Sequence, residues 1–154
     1  MGSVERSIEV RVPVSTAYNQ WTQFESFPRF MEGVDRVDQI TPTTTHWVTS
    51  VGGVHRQFDA EIIEQRPDER IAWTTVSGPK QAGLVSFHRV DATTSRIILQ
   101  MDVLPDGVLE TLGDKLGVVG HRIEGDLKRF KAFIESRGAE EGGWRGTVDR
   151  PATP

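Results

Sequence analysis

The sequence predicts one α+β domain in which a curved, seven-stranded antiparallel sheet wraps around a long C-terminal helix, with two short helices after the first strand. Three observations lead there. SIEVRVPV (7–14) alternates Ile8, Val10 and Val12 against Glu9 and Arg11, the period of a half-buried strand. Six strand-length segments then follow one another between residues 34 and 104 with turn-sized separators, which joins neighbours as hairpins in one meander. Last, Leu109, Leu112, Leu116, Val119, Ile123, Leu127, Phe130 and Ile134 step by three or four residues, the stripe of an amphipathic helix of about seven turns.

Taken in order, Pro13 ends the first strand, and Ser15 or Thr16 is placed to cap a helix carrying Ala17, Tyr18 and Trp21. WTQFESFPRF (21–30) holds Trp21, Phe24, Phe27 and Phe30, four of the chain's twelve aromatic residues, at a spacing of three. Pro28 disfavours helix at Phe27 and removes a donor. The stretch therefore reads as a helix ending near Phe24 or Glu25, a corner, and a second short helix capped by Ser26. Trp21 and Phe24 are expected to anchor the first helix, and Phe27 and Phe30 to face a cavity end.

The strands are VDRVDQIT (34–41), THWVTSVGG (45–53), HRQFDAEIIEQ (55–65), RIAWTTVS (70–77), GLVSFHRV (83–90) and SRIILQMDVL (95–104). Pro42-Thr43, Gly52-Gly53, Pro67-Asp68, Gly78-Pro79 and Ala92-Thr93-Thr94 separate them. Pro105-Asp106-Gly107 precedes the long helix and Arg137-Gly138 stops it. Residues 4–137 form the domain. Residues 138–154, rich in Gly, Pro and charge, read as a flexible tail.

Composition removes several classes of function. The formal charge is −4 with both signs interspersed, so no basic face suggests nucleic acid or anionic membrane. The absence of cysteine excludes disulfides, thiolate chemistry and cysteine-ligated zinc. No apolar run approaches the roughly 20 residues of a membrane span, and the N-terminus lacks a secretory pattern. Arg6 breaks the myristoylation pattern of MGSVER. The expected location is the cytoplasm.

A seven-stranded sheet bent around one helix cannot touch it everywhere, which leaves a gap between them. Strand parity sorts the residues facing that gap. From the third and fourth strands these are Trp47, Thr49 and Val51, then Phe58, Ala60 and Ile62; from the fifth and sixth, Ile71, Trp73 and Thr75, then Val85 and Phe87. The last strand adds Ile97, Leu99, Met101 and Val103, and the helix stripe adds Leu112, Leu116, Val119 and Ile123. Each is either plain core or cavity wall. A lining that is mostly apolar with a few hydroxyls suits a hydrophobic ligand.

The order of elements, the VPV-to-TAYNQW helix start, the WTQFESFPRFM corner, the FDAEIIEQRPDERIAW strand pair and the terminal GHRIEGDLKRFKAFIESRG together resemble a known family. It is the polyketide cyclase/dehydrase branch of the START-like superfamily (Bet v 1-like, helix-grip, SRPBCC), which also includes ubiquinone-binding START proteins. The resemblance spans about residues 4–137. It implies a helix-grip fold with an apolar cavity that opens near the start of the long helix. It also implies either carriage of a lipid-, quinone- or polyketide-like molecule, or aromatase/cyclase or dehydrase action on a polyketide-type substrate. The superfamily's ribosome-associated toxins add a third class, the macromolecular regulator. The GGWRGTV tail (142–148) is similar to tails of uncharacterised bacterial members.

Candidate chemistry within this frame is sparse. Arg56 shares the inward parity of Phe58 near a strand end, where it either binds a ligand carbonyl, enolate or carboxylate or turns out to solvent. His46, His55 and His88 have outward parity and His121 lies off the helix stripe, so all four read as surface residues. His121 and Glu124 have the spacing of half a metal site without a second half. Asp59, Glu61, Glu64 and Asp102 are assigned to the outer sheet face, no triad or phosphate loop can be assembled, and Thr49, Thr75, Ser77 and Arg56 are the polar groups left for the interior. The expected partner is a small hydrophobic ligand, with no cofactor, metal, nucleic acid or stable membrane insertion. Gly113, Gly117, Gly120 and Gly125 are unusual in a long helix and have three readings: close packing, a gate, or a helix break near Gly117 to Gly120.

Overall fold

The structure is a computed structural model that describes residues 2–51, 54–77, 81–103, 112–140 and 142–148, with the backbone alone for Val51, Val54, Val103 and residues 112–119. Strand β1 (Gly2–Val10) leads into helix α1 (Val14–Trp21) and a 3-10 turn (Phe24–Arg29). Strands β2 (Val34–Gln39), β3 (Thr44–Val51), β4 (Val54–Arg66), β5 (Arg70–Thr75), β6 (Gln81–Asp91) and β7 (Thr94–Val103) follow, and helix α2 (Leu112–Arg137) comes after them. All seven strands form one antiparallel sheet in the order β1-β7-β6-β5-β4-β3-β2. The meander is thus closed on one side by the first strand pairing with the last. This is the α+β helix-grip arrangement.

Local chemistry adjusts the expected boundaries. β1 starts at Gly2 rather than Ser7 because β7 pairs with it throughout, from Gly2 opposite Val103 to Val10 opposite Ser95. α1 is not capped by Ser15 or Thr16. The Pro13 carbonyl accepts the first bond, from Ala17 N at 3.1 Å, and the two hydroxyl residues fall inside the first turn. The helix ends at Trp21, not near Phe24, where the Thr22 hydroxyl takes the Asn19 carbonyl at 2.6 Å. Ser26 is no cap either. It lies within the 3-10 turn that also absorbs Pro28, and Gln23 precedes that turn.

A register shift between Ile62 and Glu64 turns the end of β4. Beyond it Gln65, 1% exposed, takes the inward position opposite Ile71. Glu64 takes the outward one, where its carboxylate receives both Arg70 Nε at 2.8 Å and Nη2 at 3.1 Å.

Helix α2 runs along β1 in the same direction. Arg6 Nε meets Glu124 at 2.8 Å, Lys131 Nζ meets the Glu9 carbonyl at 3.1 Å, and Glu135 accepts Arg11 N at 2.8 Å. The helix is unbroken from Leu112 to Arg137, so of the three readings of its glycines the break near Gly117 to Gly120 does not occur. Close approach accounts for Gly120, where a Cβ would stand 2.6 Å from Arg6 Nη2 and 3.3 Å from Val4 Cγ1. Ile123, Leu127, Phe130 and Ile134 are buried, each such side chain stabilising by roughly 1.5–3 kcal/mol. Residues 142–148, read from the sequence as part of a flexible tail, lie against α1 and the end of β4, where Val148 bridges to Gln65.

Candidate functional site

The concave face of the sheet divides into a filled part and an open part. In the filled part Ile97, Phe87, Leu99, Val85 and Ile71 are buried beneath α1 and α2. The corner supplies the filling. Trp21 packs edge-on to Phe130 with centroids 5.0 Å apart and against Phe27 and Phe87, and Phe30 lies 5.0 Å from Phe130 and 5.4 Å from Phe133. The four rings of the corner are all buried. Trp21 and Phe24 therefore sit in the core, and Phe30 joins them there. Phe27 is the link outward, 5.7 Å from Trp47.

The open part comprises Trp47, Thr49, Phe58, Trp73, Thr75 and Met101, all of which remain partly exposed. These are long-range neighbours across four strands, assembled by register: Trp47 opposite Phe58, Trp73 and Met101 both opposite Gly83, and Thr75 opposite Ala60. Ala60, buried, floors the space between them. Of the other residues proposed as lining, Val85, Phe87, Leu99 and Ile123 belong to the filled core. The side chains of Val51, Leu112, Leu116 and Val119 lie outside the described residues. Arg56 is exposed at its strand position opposite Thr49.

Two residues that strand parity did not single out set the shape of the open part. The Trp47 indole N–H donates to Thr45 Oγ1 at 2.9 Å, and Thr45 is itself buried with its hydroxyl 3.4 Å from the Ala60 carbonyl. That bond spends the polar edge of the indole and fixes its plane, which stacks on Phe58 at 6.0 Å and 7°. Gly83 is the second. A Cβ there would overlap the Trp73 ring, so the indole lies directly on the strand backbone. A glycine inside a strand and a Thr two residues from a Trp on the same face are both readable signals. What they act on became visible only in the fold.

Polar chemistry within reach is limited. The Thr75 hydroxyl is occupied by the Gln81 backbone, accepting from N at 3.0 Å and donating to O at 3.2 Å. Ser77 is exposed and accepts Asp59 N. Deeper in, Gln65 Nε2 donates to the buried Tyr18 hydroxyl at 3.1 Å. Burial raises the Tyr18 phenol above its ordinary value and so holds it neutral, against the lowering effect of the Gln65 bond and the Arg145 cation. Asp126 is likewise raised by burial, against the Arg129 guanidinium, and joins α2 to the corner through Glu32 N at 3.1 Å.

The histidines stay outside this space. His46 meets Asp59 at 2.6 Å, a hydrogen bond that raises its pKa. His55 meets Ser50, His88 meets Ser86, and His121 is exposed. Among the described residues no three His, Asp or Glu side chains gather as a metal site, and no helix is long and apolar enough to cross a membrane. A separate surface groove of about 410 Å3 lies on the outside of the corner, between Glu25, Gln39, Ile40, Thr41, Pro42 and Trp144.

Comparison with known proteins agrees with this architecture. The profile of the family described as polyketide cyclase/dehydrase and lipid transport matches residues 10–132. An uncharacterised 17.2 kDa protein of the melC2-rnhH intergenic region of Streptomyces lincolnensis is 65% identical over 149 residues, 96% of this chain and 99% of that one. A START superfamily protein from Mycobacterium smegmatis superposes with a TM-score of 0.77 at 16% identity, covering 88% of this chain and 98% of its own. The Zhui aromatase/cyclase from Streptomyces sp. R1128 superposes with a TM-score of 0.75 at 16% identity, covering 93% and 99%. At such identities the two structures speak for the fold alone.

Proposed function

The chain belongs to the polyketide cyclase/dehydrase and lipid transport family, and we propose that it binds a small hydrophobic molecule on the open part of its concave sheet face. One observation carries this reading. Three large aromatic side chains, Trp47, Phe58 and Trp73, stay partly exposed on a face whose neighbouring rows are packed to completion. An aromatic surface left uncovered inside a fold that can bury aromatics gains from a ligand that covers it. The Trp47 N–H is already satisfied by Thr45, so at Trp47 the wall presents a ring face rather than a donor. A lipid-, quinone- or polyketide-like molecule fits that chemistry.

Binding is favoured over cyclisation or dehydration by the state of the polar groups. Enzymes that fold a polyketide need donors aimed at its carbonyls. Of the four polar candidates, Thr75 is committed to the Gln81 backbone and Ser77 and Arg56 are exposed, which leaves the Thr49 hydroxyl as the one such group on the open part. The cytoplasm is the proposed location, a reading that the composition supports.

The test is native mass spectrometry of the protein purified from its host, paired with displacement of a lipophilic dye by extracted metabolites. A co-purifying apolar molecule that displaces dye from the wild type, with weaker displacement in Trp73→Ala, is the expected result. No bound molecule and no displacement would sink the proposal. Turnover of a poly-β-ketone that survives in Thr49→Val but not Arg56→Ala would instead favour the enzyme.

A further inference from the structure

The GGWRGTV segment lies beyond the family match and takes no part in the ligand site, yet its contacts are specific. Gly138, at φ 72°, ends α2 and lets the chain reverse. The segment then crosses α1 to the far end of β4. Glu140 accepts Asn19 Nδ2 at 2.9 Å, and Trp144 N donates to the Thr22 hydroxyl at 2.9 Å. The Arg145 guanidinium joins two elements, donating to Asn19 Oδ1 and to Asp68 Oδ2, both at 2.7 Å, with its carbon 5.6 Å from the Tyr18 ring centre. Asp68 holds φ 63° at the turn after β4, a conformation Asp tolerates better than most residues. Val148 exchanges two backbone bonds with Gln65, at 2.7 and 2.9 Å. Pairing of β4 with the β3 side ends just before this stretch, where Ile62 N donates to the Thr43 carbonyl at 2.7 Å.

The glycines suit this surface. A Cβ at Gly143 would stand 2.7 Å from Asn19 Cγ, one at Gly142 3.1 Å from Gln23 Oε1, and one at Gly146 would overlap the Trp144 ring. The segment lies flush where a chain with side chains at those positions would not.

Two features limit how tightly the segment is held. The Arg145 to Asp68 pair is 45% and 33% exposed, within reach of screening ions. The backbone pairing is one isolated bridge.

We propose that residues 142–148 are a latch: docked, they cover the edge of β4 at Gln65 and hold α1 through Asn19 and Thr22; released, they open that edge and the Tyr18–Gln65 pair to solvent while the sheet stays folded. Ionic strength shifts the balance toward release through the Arg145 bridge.

Residue-resolved hydrogen exchange on the full chain tests this at low salt and at about 1 M salt. In Arg145→Ala the Gln65 and Val148 amides exchange about tenfold faster than in the wild type while β6 and β7 amides keep their rates. High salt moves the wild type the same way and leaves Arg145→Ala unchanged. Gly143→Val releases the segment sterically and gives the fast pattern at both salts. The wild-type salt series needs no variant, so a misfolded substitution does not spoil the test. If Gln65 and Val148 exchange only with the global unfolding of the sheet, or already exchange unprotected at low salt, the latch does not exist.

Discussion

The two parts of the concave face use the same residue types to opposite ends. Around Trp21, Phe30, Phe87 and Phe130 aromatic rings meet edge-on at 5.0 to 6.2 Å, or tilted at 6.4 Å between Trp21 and Phe30, and leave no accessible surface of note. Around Trp47, Phe58 and Trp73 the rings lie flat, one on another and one on a glycine, and stay partly exposed. Edge-on packing in three dimensions consumes every ring face. Flat packing against a neighbour or a backbone consumes one and leaves the other for something else.

Substitutions should separate the two parts by which property they damage. The largest effect is expected from Phe130→Ala or Trp21→Ala, a loss of about 3–5 kcal/mol in urea unfolding typical of a buried aromatic. A cost below about 1 kcal/mol would mean that the corner is not the core it resembles. Next, Gly83→Val should push the Trp73 indole off the backbone, at about 1–3 kcal/mol of overpacking, and change Trp73 fluorescence. Unchanged emission and stability would erase the distinction between flat and edge-on packing.

Trp73→Ala reverses the pattern of the core variants. It is expected to weaken a displaceable lipophilic dye about tenfold, or about 1.4 kcal/mol, with a smaller change in stability than Phe130→Ala. Dye binding equal to wild type would remove Trp73 from the ligand wall. The smallest effect concerns the outer face. Hydrogen bonding to Asp59 raises His46 above its ordinary value of 6.5. A raised folded pKa contributes stability that is complete below about pH 6.5 and is lost as pH rises through the folded pKa. For a largely solvated pair this amounts to less than about 1 kcal/mol. Unfolding curves of wild type and Asp59→Asn should therefore converge toward pH 9 and differ at pH 5.5, roughly a unit below the ordinary histidine range.

The periodic elements were legible because their signals are local. Alternation in residues 7–14 and along the meander, and the three-four stepping that among the described residues runs from Ile123 to Ile134, depend only on backbone geometry and on one face being buried. Caps were less legible. Ser15, Thr16 and Ser26 have capping side chains, but all three fall inside their helices, and Pro13 and Gln23 hold the cap positions without a side-chain cap bond. Strand parity gathered Trp47, Phe58, Trp73 and Met101, which stay partly exposed, together with Val85, Phe87 and Leu99, which are core.

From sequence alone came the order of strands and helices, the pairing of neighbours, and the apolar face each element turns inward, all consequences of short-range periodicity. The fold alone decided which inward residues are covered, because coverage depends on where α1, the corner and α2 come to rest over the sheet. It also decided the turn of Gln65 inward, through one extra residue in β4, and the docking of 142–148, through contacts between groups as far apart in sequence as Asp68 and Arg145. Neither leaves a periodic trace, since both arise from single contacts between segments that only folding brings together.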